Sequence, residues 1–136
     1  MRARVLIYNP TLGALLLIHR NKNDRDYWVI PGGGAQGSET PIQTAQREIK
    51  EELDLTLMAD KMTPMFAIDE DEKQVVFWTE TQFSKTPVIH GEEVARSGRT
   101  NRYQPAWVAL GKIETIDLMP AEAKSQLLRD LNQLES

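Results

Sequence analysis

The chain has 136 residues, with 16 Lys or Arg against 20 Asp or Glu, a formal net charge of −4 and no cysteine. This length predicts one domain over residues 1–136, large enough to bury a core of its own. The composition excludes a disulfide scaffold, a thiolate metal site and a cysteine nucleophile, and the acidic balance argues against binding a nucleic-acid polymer or an anionic membrane. The opening apolar stretch Val5-Leu6-Ile7-Tyr8 is too short for a secretory signal, and no run approaches the length of a membrane span. The expected location is therefore cytoplasmic.

Arg4 to Tyr8 reads as a strand, Asn9-Pro10-Thr11-Leu12-Gly13 as a turn and Ala14 to Ile18 as a buried strand, together a β-hairpin. The polar stretch His19 to Asp26 then separates the hairpin from a short strand, Tyr27 to Ile30, which Pro31-Gly32-Gly33-Gly34 ends. A helix follows. Thr40 is its expected N-cap, Pro41 its first residue and Gln43 the partner in a capping box, while Ile42, Ala45, Ile49 and Leu53 recur at helical spacing. Met65 to Ile68 and Gln74 to Trp78 flank the acidic turn at 69–72 as a second hairpin. Residues 84–102 have no period and read as a long surface loop, Gln104 to Leu110 as a last strand. Pro120 to Leu134 is a second amphipathic helix, with Ala123, Leu127, Leu128, Leu131 and Leu134 on its inner side. The mixed order of strands and helices predicts an α+β fold with a mixed sheet between helices.

Chemistry concentrates in the first helix. At 100° per residue, Glu52 lies about 40° from Glu48 on one side and Glu51 about 60° on the other. Three carboxylates thus share an arc of roughly 100° beside the apolar stripe. A solvated face of a helix would mix signs, because like charges three or four residues apart repel. Crowded carboxylates next to a glycine-rich turn suit a hard divalent cation such as Mg²⁺, which takes oxygen ligands and shares its shell with phosphate and water.

The spacing Gly33-x5-Glu39-x7-Arg47-Glu48-Ile49-x-Glu51-Glu52-x-Asp54-Leu55 resembles the Nudix box, G-x5-E-x7-R-E-U-x-E-E-x-G-U with U a bulky aliphatic. Eight of its nine constrained positions match across 23 residues. The exception is Asp54, where the family carries a glycine that ends the helix in a left-handed conformation, one that Asp tolerates better than most residues. The resemblance, to the MutT-like pyrophosphohydrolases, implies an α/β/α sandwich. It also implies Mg²⁺, with Mn²⁺ able to substitute, held by Glu48, Glu51, Glu52 and the Gly33 backbone. Either Glu52 or Glu48 is implied as the base for the attacking water, and Arg47 as an orienting arginine paired with Glu39. Gly33 and Gly34 let the backbone approach metal and pyrophosphate.

Outside the box, Arg20 and Arg25 are candidate phosphate-binding residues. Glu93, with Glu92 beside it, stands in the long loop where such enzymes supply a further carboxylate. Arg96, Arg99 and Arg102 form a second candidate anion-reading group. Trp28, Trp78, Tyr103 and Trp107 read as core, one of them available to stack on a nucleobase. The expected substrate is a small nucleotide, a nucleoside diphosphate linked to another group. The family's tyrosine marker for dinucleoside polyphosphates is missing beyond the box, as is its proline marker for ADP-ribose. A nucleoside triphosphate, canonical or oxidised, therefore leads, with ADP-ribose or a nucleotide sugar as alternative and an inactive nucleotide-binding module as the reading of another class. The family often forms homodimers.

Overall fold

The structure, a computed structural model, describes residues 1–83, 87 and 101–135. Its strands are β1 (Arg2–Asn9), β2 (Ala14–Lys22), β3 (Arg25–Val29), β4 (Gly32–Gly34), β5 (Thr63–Glu70), β6 (Glu72–Glu80), β7 (Asn101–Ala109) and β8 (Leu118–Met119). Two longer helices, α1 (Pro41–Leu53) and α2 (Ala121–Glu135), complete the frame. The sheet runs β5-β6-β1-β2-β3-β8, with β4 added to β1 and β7 to β2. Most neighbours are antiparallel, but β1 and β6 run parallel from Arg2↔Gln74 to Tyr8↔Glu80. The mixed sheet lies between helices, as the sequence predicts.

Alternation along the strands divides the interior into two layers. Ala3, Val5, Ile7 and Leu16 pack with Ala45, Ile49 and Leu53 of α1. Leu6, Leu15 and Leu17 point the other way, to Ile30, Leu118 and the α2 residues Ala123 and Leu127. Leu15, Leu16 and Leu17 are all fully buried, so β2 is a central strand with both faces covered. Truncating one of these leucines to alanine is worth about 2–5 kcal/mol. The inner side chains expected on α2 are found inside or half-buried, except that the Leu134 side chain falls outside the description.

Three expectations need correction. The polar stretch 19–26 is a continuous hairpin: β2 runs to Lys22, β3 starts at Arg25, and Asn23 and Asp24 both adopt positive φ, at 53° and 65°. That is the two-residue turn whose twist suits paired strands. Gly32–Gly34 is itself a strand, paired with Arg2, Ala3 and Arg4 of β1. Finally, β7 begins at Asn101, because its ladder with β2 extends to Lys22↔Asn101.

Both hairpins on the β1 side close as the sequence suggests. Asn9 is buried, and its Oδ1 accepts from the amides of Thr11 and Leu12 at 2.9 and 3.1 Å while Nδ2 donates to the Phe83 carbonyl at 2.7 Å. Between β5 and β6, Asp71 turns the chain at φ 67°. The outer strand β5 slips register between Pro64 and Phe66.

Candidate functional site

The local sequence fixes where α1 starts and stops. Thr40 Oγ1 accepts from the Gln43 amide at 3.3 Å and Gln43 Oε1 accepts from the Thr40 amide at 2.9 Å, the reciprocal capping box. At the other end Asp54 sits at φ 54°, ψ 35°, and its amide closes on the Lys50 carbonyl at 3.0 Å. The residue in the box's glycine position thus adopts the left-handed conformation a glycine would. Lys50 Nζ donates to its side chain at 2.8 Å.

Between these caps Arg47 is the hub. Its Nε donates to Glu39 Oε2 at 2.7 Å and its Nη2 to Glu39 Oε1 at 3.0 Å, a two-pronged guanidinium–carboxylate pair. Nη2 also reaches the Gly34 carbonyl at 2.8 Å, and Nη1 donates to Glu48 Oε1 at 2.9 Å and Glu51 Oε2 at 3.3 Å. One side chain therefore ties β4, the following loop and the helix together. Glu39 completes the tie by accepting from the Gln36 amide at 2.8 Å and Thr44 Oγ1 at 3.2 Å. The Arg47 guanidinium first, and then the Gln36 amide, hold the Glu39 carboxyl down at about 2, while Glu39 in turn raises Arg47 above its ordinary value.

Two adjacent positions take glycine for different reasons. A Cβ on Gly33 would fall on the carboxyl group of Glu48, and one on Gly32, at φ 150°, would strike the Ala3 carbonyl and Arg4 Cα. Strand β4 thus passes against β1 on one side and a glutamate on the other. The pocket a Cβ would fill brings the Gly33 backbone to Glu48, the juxtaposition of peptide and carboxylate oxygen that a hard cation requires.

The three glutamates do not share one environment. Glu48 is about one-fifth exposed and Glu51 more than half, and both turn to Arg47. Glu52 is 7% exposed, inside the helix–sheet boundary. Among the described residues no three Asp, Glu or His side chains are gathered closely enough to hold an ion as they stand. The oxygen donors are of the chemical kind a hard divalent ion takes.

Sequence reasoning missed Arg4. Its Nε donates to Gln74 Oε1 at 2.6 Å and its Nη1 to the Ile30 carbonyl at 2.7 Å. Burial, then Arg2, lower it to about 10 against the pull of Glu52, Glu70 and Glu72. Gln74 passes the connection on to the Glu70 carbonyl at 2.9 Å, and the Glu70 carboxylate accepts from the Glu122 amide at the start of α2 at 3.1 Å. An arginine in the first strand carries no spacing signal toward residues 30 and 74; only its even position in an apolar alternation marked it as inward-facing.

The two outlying arginines differ. Arg25 is paired with Asp117 at 3.1 Å and lies over the Tyr27 ring at 4.6 Å. Arg20 sits between Tyr103 and Tyr27, its Cζ at 4.4 and 5.7 Å from the ring centroids, and its buried Nε has no hydrogen-bond partner among the described residues. Among the expected aromatics, Trp28 stacks on His19, Trp78 meets Tyr8 and Trp107 meets Phe83. Glu92, Glu93, Arg96 and Arg99 lie outside the described residues.

Comparison with known proteins places this geometry. Over 59 residues, 43% of this chain and 39% of the relative, the sequence is 34% identical to dihydroneopterin triphosphate diphosphatase of Escherichia coli K12. The match thus spans about two-fifths of that curated relative. Among solved structures, a MutT protein from Methanosarcina mazei superposes with a TM-score of 0.69 at 20% identity, covering 99% of this chain and 94% of the other. A Caenorhabditis elegans Ap4A hydrolase does so at 0.61 and 18% identity, covering 99% and 98%. At these identities the structural likeness establishes the fold. No helix among the described residues is long and apolar enough to cross a membrane. The family model described as the NUDIX domain matches residues 1–130, nearly the whole chain, and the protein belongs to that family.

Proposed function

We propose that this chain is a divalent-metal-dependent pyrophosphohydrolase that cleaves a phosphoanhydride bond in a nucleoside triphosphate, an oxidised one included. It works as a single cytoplasmic domain over residues 1–136. The observation that carries this reading is the Arg47 hub, which presses β4 against α1 and brings the Gly33 backbone to the Glu48 carboxylate. Glu48, Glu51, Glu52 and the Gly33 carbonyl are the proposed holders of Mg²⁺, with Mn²⁺ able to substitute. When bound, the metal neutralises charge on the phosphate oxygens and lowers the pKa of a coordinated water. Glu52 or Glu48 accepts the proton of the attacking water, and the bond from phosphorus to the bridging oxygen breaks with the leaving phosphate taking the electron pair.

Arg20 is the better-placed phosphate reader of the two arginines. Its guanidinium lies against two tyrosine rings and has no carboxylate among the described residues, whereas Arg25 is already paired with Asp117. The activity named for the E. coli relative is also directed at a triphosphate, which supports that substrate class over ADP-ribose or a nucleotide sugar.

The test is product analysis with Mg²⁺ on canonical and oxidised nucleoside triphosphates, ADP-ribose, nucleotide sugars and dinucleoside polyphosphates. Turnover of triphosphates that EDTA and Glu52→Gln both abolish establishes the reading. Metal and nucleotide binding without turnover of any compound overturns it in favour of a nucleotide-binding module.

A further inference from the structure

The segment 30–34, which carries the first glycine of the box, is gripped at its two ends by two arginines on opposite faces of the sheet. On the α1 side, Arg47 Nη2 holds the Gly34 carbonyl. At the other end Arg4 Nη1 holds the Ile30 carbonyl. Arg4 belongs to the α2 side, because Val5 packs toward α1 and Leu6 toward α2, and side chains alternate along β1. Between the two grips the Val5 amide donates to the Pro31 carbonyl at 2.9 Å, and Gly32 and Gly33 stand opposite Arg4 and Ala3. The glycine that meets Glu48 is thus placed from both sides along the chain, and on the upstream side the outermost hold is a side chain.

Arg4 is itself braced by a closed circuit of hydrogen bonds. Its Nε donates to the buried Gln74, Gln74 donates to the Glu70 carbonyl, and the Glu70 carboxylate accepts from the Glu122 amide. The circuit returns through Met119, shortly before Glu122 in the chain, whose carbonyl accepts from the Ile30 amide at 3.1 Å. Both backbone polar groups of Ile30 are therefore fixed, the N–H by β8 and the C=O by Arg4. A circuit of this kind holds each member through two neighbours at once, so that no single bond lets go without straining the rest. Burying a guanidinium here costs desolvation that an aliphatic side chain, such as Leu6 on the same face, avoids. What arginine provides and leucine does not is a donor to the Ile30 carbonyl, and through it a fixed origin for the strand that ends at the site.

We infer that Arg4 is a positioning residue for the metal site: by holding the Ile30 carbonyl from the face opposite Arg47, it fixes the Gly33 backbone against the Glu48 carboxylate. The inference rests on the metal site proposed above, and its sign separates it from an effect of charge. Arg4 also feels the charge of Glu52, so on Coulomb's law alone Arg4→Met tightens cation binding, whereas loss of position weakens it. Mn²⁺ is titrated into the intact protein and the free ion is read by electron paramagnetic resonance, at a temperature where circular dichroism shows each variant folded. Arg4→Met should bind Mn²⁺ at least about tenfold more weakly than the parent, the scale for a residue that supports a ligand without touching the ion. Gln74→Met, which removes the brace behind the guanidinium and no charge, should weaken binding in the same direction. Leu17→Ala, a cavity in the α2 layer with a comparable loss of stability, should leave the affinity unchanged. Unchanged or tighter binding in Arg4→Met, or in Gln74→Met where Arg4→Met does not fold, overturns the inference, as does equal weakening in Leu17→Ala. A parent that binds no Mn²⁺, or whose affinity Glu48→Gln does not lower, instead overturns the metal site itself, and the hydrolase reading and this inference fall together.

Discussion

Adding one methyl group at each of two neighbouring glycines separates the chemistry of the site from the stability of the fold. In Gly33→Ala the new Cβ meets only the carboxyl end of Glu48, which must retreat by about 1 Å to reach ordinary van der Waals separation. The retreat breaks the 2.9 Å bond from Arg47, a part-exposed pair worth about 1 kcal/mol or less. Alanine also restricts the unfolded chain, which returns about 0.4–1 kcal/mol. The two nearly cancel, so the melting temperature should move by only a few degrees. A displacement of about 1 Å in a reacting group, however, lowers turnover roughly 100-fold. In Gly32→Ala the obstacle is backbone, the Ala3 carbonyl and Arg4 Cα, at a φ of 150° that alanine avoids. The β1–β4 ladder must part, at a cost above about 3 kcal/mol. The assays are urea denaturation and steady-state hydrolysis of the best triphosphate on both variants. Full activity in Gly33→Ala, or equal destabilisation of the two, would refute the assignment of Gly33 to the site and Gly32 to the frame.

Other outcomes follow from the same geometry. Asp54→Gly removes a left-handed non-glycine residue and one exposed pair with Lys50, and should stabilise the protein by up to about 1 kcal/mol in thermal melts. Because the folded-state value of Glu39 is about 2 against an ordinary 4.5, its stabilising contribution is complete above about pH 4.5 and is lost as pH falls toward 2. Denaturation of Glu39→Gln should therefore show a deficit relative to the parent at pH 6 that closes by pH 2, and a deficit constant across that range would contradict the Arg47 pairing. Arg20→Gln should raise KM for a triphosphate at least about tenfold, the scale of a lost charge-assisted hydrogen bond, with Arg25→Gln close to the parent. Arg4→Met leaves Gln74 and the Ile30 carbonyl without their donor and should destabilise by about 2–4 kcal/mol in urea melts.

What the sequence reveals is whatever is encoded by near neighbours. Thr40, Pro41 and Gln43 announce the start of α1 because a cap is satisfied within three residues, whereas the Arg47–Glu39 pair is legible only through the resemblance to the Nudix box. The Asn23-Asp24 turn is harder to read: both residues take positive φ without a glycine to signal it, so a hairpin looks like a polar loop. The three glycines of β4 look like a strand's end because they have no side chains to alternate, and pairing with β1 is visible only when the two segments meet. Glu48, Glu51 and Glu52 are recognisable as one helical face, but their different burial depends on where the sheet lies beneath them. Arg4 shows the limit most plainly, since its partners are 26 and 70 residues away.

The register slip in β5 also governs how this protein behaves when crowded. As the first strand of the sheet among the described residues, β5 offers a second chain a row of backbone donors and acceptors on which a growing stack could be templated. Pro64 brings no N–H to such a row, and the bulge beside it throws the following residues out of step with any straight newcomer. Asp69 and Glu70 at the far end would confront like charges if an identical strand docked in parallel. Replacing Pro64 with valine should leave the monomer's fold intact and shorten the lag before fibrils form at high concentration.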